Sequence, residues 1–254
     1  MTAESDAALS LAGQTALVTG GARRLGAAIV RALHGAGANV LIHCRASVEQ
    51  ARALAEDLER ARRGSCVVVQ SDLLDVTGLP RLVEAAQERF GALHLLVNNA
   101  SSFFPTPLGQ ITPAQWDDLF GTNLRAPLFL AQAAAPLLAQ ARGSLVNIVD
   151  IHGQRPLREH LVYSAAKAGL IMLTRALARE LAPNVRVNAI APGAILWPEG
   201  HMDEERKRRI LERTPLQRSG DPSDIARAVL FFAAQAPFVT GQILAVDGGR
   251  SIAW

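Results

Sequence analysis

Cysteine, lysine and tyrosine are scarce in this chain of 254 residues, which holds two cysteines, a single tyrosine and, among its 26 basic residues, two lysines. Cys44 and Cys66 cannot supply a disulfide framework. On neighbouring parallel strands they would fall at opposite ends, beyond the ~7 Å Cα separation that a disulfide tolerates, so both are read as reduced core or rim residues. No metal site is expected. Long apolar runs are missing too: nothing approaches the ~18 residues of a membrane span, and the first residues lack a basic-then-apolar secretory pattern. A cytoplasmic protein with no membrane partner is the expectation. Charge is sparse, with 19% charged residues against 49% hydrophobic and a net charge of +3. The arginines are spread along the chain rather than gathered into a stripe, which argues against a nucleic-acid partner. The densest basic run, Arg206-Lys-Arg-Arg209, follows Asp203-Glu-Glu205 and reads as a solvated helix face. No Pro/Gly/Ser-rich linker, repeat or low-complexity segment divides the chain. Residues 1–254 are therefore read as one domain, long enough to bury a large core.

The rare residues that are present stand together. Tyr163-Ser-Ala-Ala-Lys167 joins the only tyrosine to one of the two lysines, an arrangement that random placement of these residues would give about once in a hundred trials. Residues i and i+4 share a helix face, so the ammonium is expected beneath the phenol, lowering its proton affinity. That would make a tyrosine acid usable near neutral pH. Lysine also offers a compact ammonium able to contact a sugar hydroxyl. An ordinary surface pair on an amphipathic helix is the alternative.

From Gln14 onward apolar segments alternate with amphipathic ones, the rhythm of a parallel sheet covered by helices on both faces. Strands are expected near 14–19, 38–43, 65–70, 93–97, 144–149, 185–190 and 242–246. Thr112-Pro113 and Asp221-Pro-Ser-Asp224 mark helix starts. The first strand runs into Thr19-Gly-Gly-Ala-Arg-Arg-Leu-Gly26, a glycine turn whose amides and following helix could bind a pyrophosphate, or which could be a plain structural turn. Arg24 stands where the dinucleotide fingerprint usually has glycine. After the second strand His43-Cys-Arg-Ala-Ser47 lacks the carboxylate that would bind a ribose 2′-hydroxyl. Arg45 and Ser47 suit a 2′-phosphate instead, unless Arg45 is simply solvated and Ser47 caps the next helix. Asp72 could accept from an adenine amino group or cap its own loop. Phe103 and Phe104 precede Pro105 outside any periodic pattern, either as the loop's own core or as a stacking surface for a flat ligand. Asn123, polar amid Leu119, Leu124 and Leu128, could satisfy a kink or hold a water. Asp150 ends the fifth strand, and Pro192-Gly193 end the sixth. His152 and His160 flank this region and read as solvated loop residues. All the polar signals fall beyond the carboxyl ends of strands or on adjacent helices, the edge where open α/β sheets bind ligands.

Taken together, Thr19 to Gly26, Asp72, Asn98-Asn-Ala100, Asn123, Tyr163 with Lys167, Pro192-Gly193 and Val246-Asp-Gly-Gly249 resemble the short-chain dehydrogenase/reductase family from about Leu11 to Gly249. The resemblance implies a single Rossmann-type α/β domain, a doubly wound seven-stranded parallel sheet with helices on both faces. It also implies a homotetramer assembled through the helices holding Asn123 and Tyr163, with Arg250 to Trp254 reaching toward a neighbouring subunit. A nicotinamide cofactor would be held by Gly20, Arg23, Arg24, Leu25, Gly26, His43, Arg45, Ser47, Asp72, Leu73, Asn99, Ala100, Tyr163, Lys167, Pro192 and Gly193, with Arg45 and Ser47 favouring NADPH.

Most members of the family carry serine at the place of Asp150 and glycine at the places of Arg24 and Ser101. These three departures are similar to the pteridine reductase branch, as is the segment from Asn98 to Leu108. The catalytic set is then Asp150, Tyr163, Lys167 and Asn123, with Asn123 positioning a water. Arg24, Ser101, Phe103, Asp150 and Tyr163 would contact a pteridine, Arg24 bridging it to the cofactor phosphate and Phe103 sandwiching it. Residues 195–213 would cover the substrate. The expected reaction is NADPH-dependent reduction of a dihydropteridine or dihydrofolate C=N bond. The alternatives are a carbonyl reductase acting on a ketone such as a 3-oxoacyl group, and a non-catalytic NADP-binding regulator.

Overall fold

The structure is a computed structural model that describes residues 10–197 and 203–253. In chain order its main elements are β1 (Thr15–Val18), α1 (Arg24–Gly35), β2 (Asn39–Cys44), α2 (Val48–Ala61), β3 (Cys66–Gln70), α3 (Leu79–Phe90), β4 (Leu95–Asn98), α4 (Pro113–Phe120), α5 (Ala126–Gln140), β5 (Ser144–Ile148), α6 (Leu161–Glu180), β6 (Arg186–Pro192), α7 (Glu204–Glu212), α8 (Pro222–Leu230) and β7 (Ile243–Val246). Every strand lies within two residues of its expected span. The strands pair in parallel in the order β3-β2-β1-β4-β5-β6-β7. The direction of winding reverses between β1 and β4, and the reversal opens a crevice beyond their carboxyl ends.

Burial on both faces explains the continuous apolar strands. Leu17, Leu41, Leu96 and Leu145 pack into one core with α3 and α5, while their successors Val18, Ile42, Val97 and Val146 pack into the other with α1, α2 and α8. Side chains alternate across a strand, so adjacent residues must find separate cores. Burying each of these leucines contributes roughly 1.5–3 kcal/mol. The sheet is thereby clamped between two helical layers, and its strand ends form a fixed platform.

The local signals act as read. Thr112 caps α4 in a reciprocal arrangement with Gln115, and Asp221 does the same for α8 with Asp224, each helix beginning on proline. Asp203 caps α7, where Lys207, Arg208 and Arg209 pair with Glu204, Glu212 and Glu205. Cys66 lies beside Val40 and Cys44 beside Gln70, so four residues, or about 13 Å of strand, separate the two buried thiols. By length and composition α6 is apolar enough to cross a membrane, but half of that stretch is buried in the protein. Its Tyr163 and Lys167 face the strand ends.

Candidate active site

A cleft of about 460 Å³ follows the carboxyl ends of the strands across the point of reversal. The structure brings into its lining Gly20, Arg23, Arg24, Leu25, Gly26, His43, Arg45, Ser47, Asp72, Leu73, Asn99, Ala100, Ser101, Asp150, Tyr163, Lys167, Pro192 and Gly193. Asn123 and Phe103 stand immediately behind it, in contact with Ser101 and Tyr163 respectively.

The glycine turn is held from below. Thr19 Oγ1 accepts from the amides of Asn99 at 2.9 Å and Ala100 at 3.0 Å, while Asn99 Nδ2 donates to the carbonyls of Thr19 and Gly20. A Cβ at Gly26 would sit 2.1 Å from the Gly20 carbonyl oxygen, so only glycine lets α1 start this close to the turn. Arg23, the residue before α1, makes no side-chain cap. The first-turn amides of α1 therefore have no capping side chain at the cleft, and helix N-termini of this kind favour an anion. Together these features fit a pyrophosphate.

His43 corrects one expectation. Its Nδ1 accepts from Gly20 N at 3.1 Å and its Nε2 donates to the Ser71 carbonyl at 3.2 Å, so the ring braces the turn and has no polar atom left for a ligand. Burial pushes its pKa down and keeps it neutral. Arg24 is held with φ +51°, a left-handed backbone that costs a non-glycine residue roughly 1–2 kcal/mol. Its guanidinium donates to the Trp197 carbonyl at 2.8 Å. Arg24 thus ties the turn to the start of the expected substrate cover, where it was expected to bridge phosphate and pteridine. Of that cover, Ile195 and Leu196 line the cleft, residues 198–202 lie outside the described residues, and α7 follows.

At the far end of the cleft Ser47 precedes α2 without making a side-chain cap. Its hydroxyl is not spent on the helix, and it stands beside Arg45 with no carboxylate at the end of β2. Such a pair fits a 2′-phosphate. Asp72 Oδ1 accepts from Leu74 N at 2.9 Å, which makes it a loop cap, and the residue also lines the cleft.

The catalytic end departs most from expectation. Tyr163 Oη donates to Asp150 Oδ2 at 2.8 Å, and His152 N donates to Asp150 Oδ1 at 2.8 Å. Burial first, then the charge of Asp150 and the bond to it, push the Tyr163 pKa well above the ordinary tyrosine value, with only the Ser101 hydroxyl opposing. Burial, and after it the adjacent carboxylate, overturn the expected lowering by lysine. Lys167 Nζ donates to the Ile148 carbonyl at 2.9 Å and lies 5.7 Å from the centre of the Tyr163 ring. Burial depresses its pKa to about 8, against the pull of Asp150.

Asn123 sits in a π-helical turn, Gly121–Arg125, between α4 and α5. Its Nδ2 donates to the carbonyls of Leu119 and Ser102, both at 2.9 Å, and its Oδ1 accepts from Ser101 Oγ at 2.7 Å. The side chain satisfies a helix distortion, as one expectation had it, and both amide hydrogens are used. It is not placed to hold a water through that amide.

The two phenylalanines divide the alternatives between them. Phe104 joins a small core with Leu119 and Val162, whereas Phe103 is 44% exposed, stacks on His160 at 4.6 Å and meets Tyr163 edge-on at 4.8 Å. His160 is therefore buried against the site rather than solvated, and only its position three residues before Tyr163 could have signalled this. Two further features were not anticipated. Ser102 Oγ donates to Asp118 at 2.6 Å, and a buried chain from Asn98 through Asn147 to Thr174 links β4, β5 and α6 beneath the site. Arg155 donates to the Ala253 carbonyl at 3.2 Å; Trp254 lies outside the described residues.

A family model described as Enoyl-(Acyl carrier protein) reductase matches residues 20–251. The chain is 36% identical to Pteridine reductase 1 of Leishmania tarentolae, over 93% of this chain and 96% of that protein. It is 35% identical to a 3-oxoacyl-[acyl-carrier-protein] reductase of Staphylococcus aureus, over 93% of this chain and 97% of that one. The solved structure of a putative short-chain alcohol dehydrogenase from Sinorhizobium meliloti 1021 superimposes with a TM-score of 0.92 at 36% identity, covering 97% of this chain and 99% of that chain.

Proposed function

The chain belongs to the short-chain dehydrogenase/reductase family of NAD(P)-dependent oxidoreductases, and we propose that within it the protein is an NADPH-dependent pteridine reductase. The 2.8 Å bond between Tyr163 and Asp150 carries this reading. A ketone becomes an alkoxide as hydride arrives, and a carboxylate directly behind the tyrosine raises the energy of that developing charge. A C=N bond makes a different demand, because its nitrogen must receive a proton. Asp150 is placed to provide one through Tyr163.

NADPH, when bound, supplies hydride to the carbon of the C=N bond. Gly20, the first turn of α1, Arg45 and Ser47 would hold its phosphates, and Lys167 its nicotinamide ribose. Once solvent protonates Asp150 the bond between the two groups reverses, and Tyr163 passes its phenolic proton to the substrate nitrogen while taking the proton of Asp150, which solvent then restores. The high proton affinity of Tyr163 suits such a relay, since the phenol gives up one proton only as it gains another. Phe103, backed by His160, offers its exposed surface to a flat heterocycle, and Ser101 supplies a hydroxyl at the same edge.

Similarity to the 3-oxoacyl reductase is almost as high as to the pteridine reductase, which makes ketone reduction the second reading. NADPH oxidation measured with dihydropteridines and with 3-oxoacyl ketones separates the two. A higher kcat/KM for a dihydropteridine supports the proposal, and a higher value for the ketone overturns it.

A further inference from the structure

We infer that Arg24 is a positioning residue for the substrate cover: its guanidinium holds the Trp197 carbonyl while the cofactor pyrophosphate holds the guanidinium, so that filling the cofactor end of the cleft fixes the cover at the other end. This holds whichever substrate the cleft takes. The segment that follows β6 is pinned at its base. Gly193 N donates to the Val246 carbonyl at 3.1 Å, and Gly220 N donates to the Ala194 carbonyl at 2.9 Å. A Cβ at Gly193 would lie 2.6 Å from Asp247, and one at Gly220 would lie 2.5 Å from Ile195, so the base cannot shift without a clash. Ile195 and Leu196 then run along the cleft. Beyond them the Trp197 carbonyl accepts from Arg24 Nη2 at 2.8 Å, across 173 residues of sequence.

On its far side Trp197 is loosely backed. It lines a second cavity, of about 570 Å³, together with Lys207, Arg208 and Leu211 of α7. Lys207 Nζ stands 6.0 Å from the centre of its ring, the outer limit of a cation–π contact. With a void behind it, the position of Trp197 depends on the side that faces the glycine turn. Arg24 opens α1, whose first-turn amides favour an anion, and it lines the cofactor end of the cleft. A guanidinium carries five N–H donors in a planar fork, enough to serve a carbonyl and a phosphate at once, and the charge-assisted bond to phosphate is the stronger of the two. Pyrophosphate thus immobilises the guanidinium, and the guanidinium immobilises Trp197. By linkage, a substrate beneath the cover binds more tightly with cofactor in place, and cofactor more tightly with substrate.

The test reads Trp197 directly and needs no substrate. Trp116→Phe and Trp254→Phe leave Trp197 as the sole tryptophan of three, and the slope of acrylamide quenching of its fluorescence is measured with and without saturating NADP or NAD in oxidised form, both of which carry the pyrophosphate. The slope is expected to fall when cofactor binds. Arg24→Gly relieves the left-handed backbone, so the turn itself is kept; cofactor affinity, followed by calorimetry, should drop about tenfold, and at saturation the fall in slope should be lost. Arg24→Lys keeps the charge but not the fork, and should bind cofactor more tightly than Arg24→Gly while still losing most of the fall. A wild-type slope that ignores bound cofactor, or a fall that survives in full in Arg24→Gly or Arg24→Lys, overturns the inference. Either result leaves the choice between pteridine and ketone untouched.

Discussion

The phenol of Tyr163 gives its proton in hydrogen bonding to Oδ2 of Asp150, while the backbone amide of His152 holds the other carboxylate oxygen, each at 2.8 Å. The carboxylate is thus fixed at both ends, one pointing into the cleft through the tyrosine. Lys167 completes the group from below but bonds the Ile148 carbonyl rather than the phenol. The proposed roles divide accordingly: Asp150 and Tyr163 for proton delivery, Lys167 for the ribose.

That division predicts opposite pH responses for stability and activity. Lys167 titrates at about 8 when folded and at the ordinary 10.5 when unfolded. The unfolded chain binds more protons between these values, so stability rises across this window by up to roughly 3 kcal/mol, and the full penalty is present below it. The ammonium is also the form that would hold the ribose, so kcat/KM for NADPH should fall as pH rises through about 8. Tyr163 stays protonated throughout, being held well above its usual range. Lys167→Met should abolish both the alkaline gain in stability, read by denaturant unfolding, and the alkaline limb of activity. Persistence of both in the variant would assign them to another group.

Arg45 and Ser47 give a prediction for cofactor choice. On the proposed NADPH reading, Arg45→Ala would remove a charge-assisted bond to the 2′-phosphate worth about 1.5–3 kcal/mol, or roughly ten- to a hundredfold in affinity. KM for NADPH should rise by that factor while KM for NADH stays nearly unchanged. Wild-type enzyme that uses the two cofactors equally well would contradict the assignment.

Exposed apolar side chains lead us to propose a homotetramer. Trp116 on α4, Leu128 and Phe129 on α5 and Met172 on α6 are all exposed, an apolar burden that association through these helices would cover. Light scattering at micromolar concentration should give four times the chain mass. Phe129→Glu should shift that mass downward, and a monomeric wild type would refute the proposal.

The sheet was legible because strands buried on both faces announce themselves as short apolar runs, and the cleft because its residues sit at the ends of those runs. What the chain could not disclose is which neighbour each polar atom chooses. The i, i+4 spacing placed Lys167 beneath Tyr163, but it carried no sign that burial of the phenol, and then Asp150 thirteen residues away in sequence, would reverse the shift. Asn123 was visible as a polar residue in an apolar helix, yet only the π-helical turn shows its amide committed to Leu119 and Ser102. His43 had the right position to touch a ligand and spends both ring nitrogens on backbone. His160 resembled a loop residue until the fold stacked it on Phe103.

Substitution at Asp150 tests the central claim most directly. Asp150→Asn preserves size and a hydrogen bond to Tyr163 but removes the transferable proton, so dihydropteridine turnover should fall by a factor of about 10² to 10⁴ with NADPH binding nearly unchanged. Asp150→Ser should lose pteridine turnover likewise, with weak ketone reduction emerging. If Asp150→Asn reduces dihydropteridines at the wild-type rate while Tyr163→Phe does not, Asp150 is a packing residue and the proton relay is wrong.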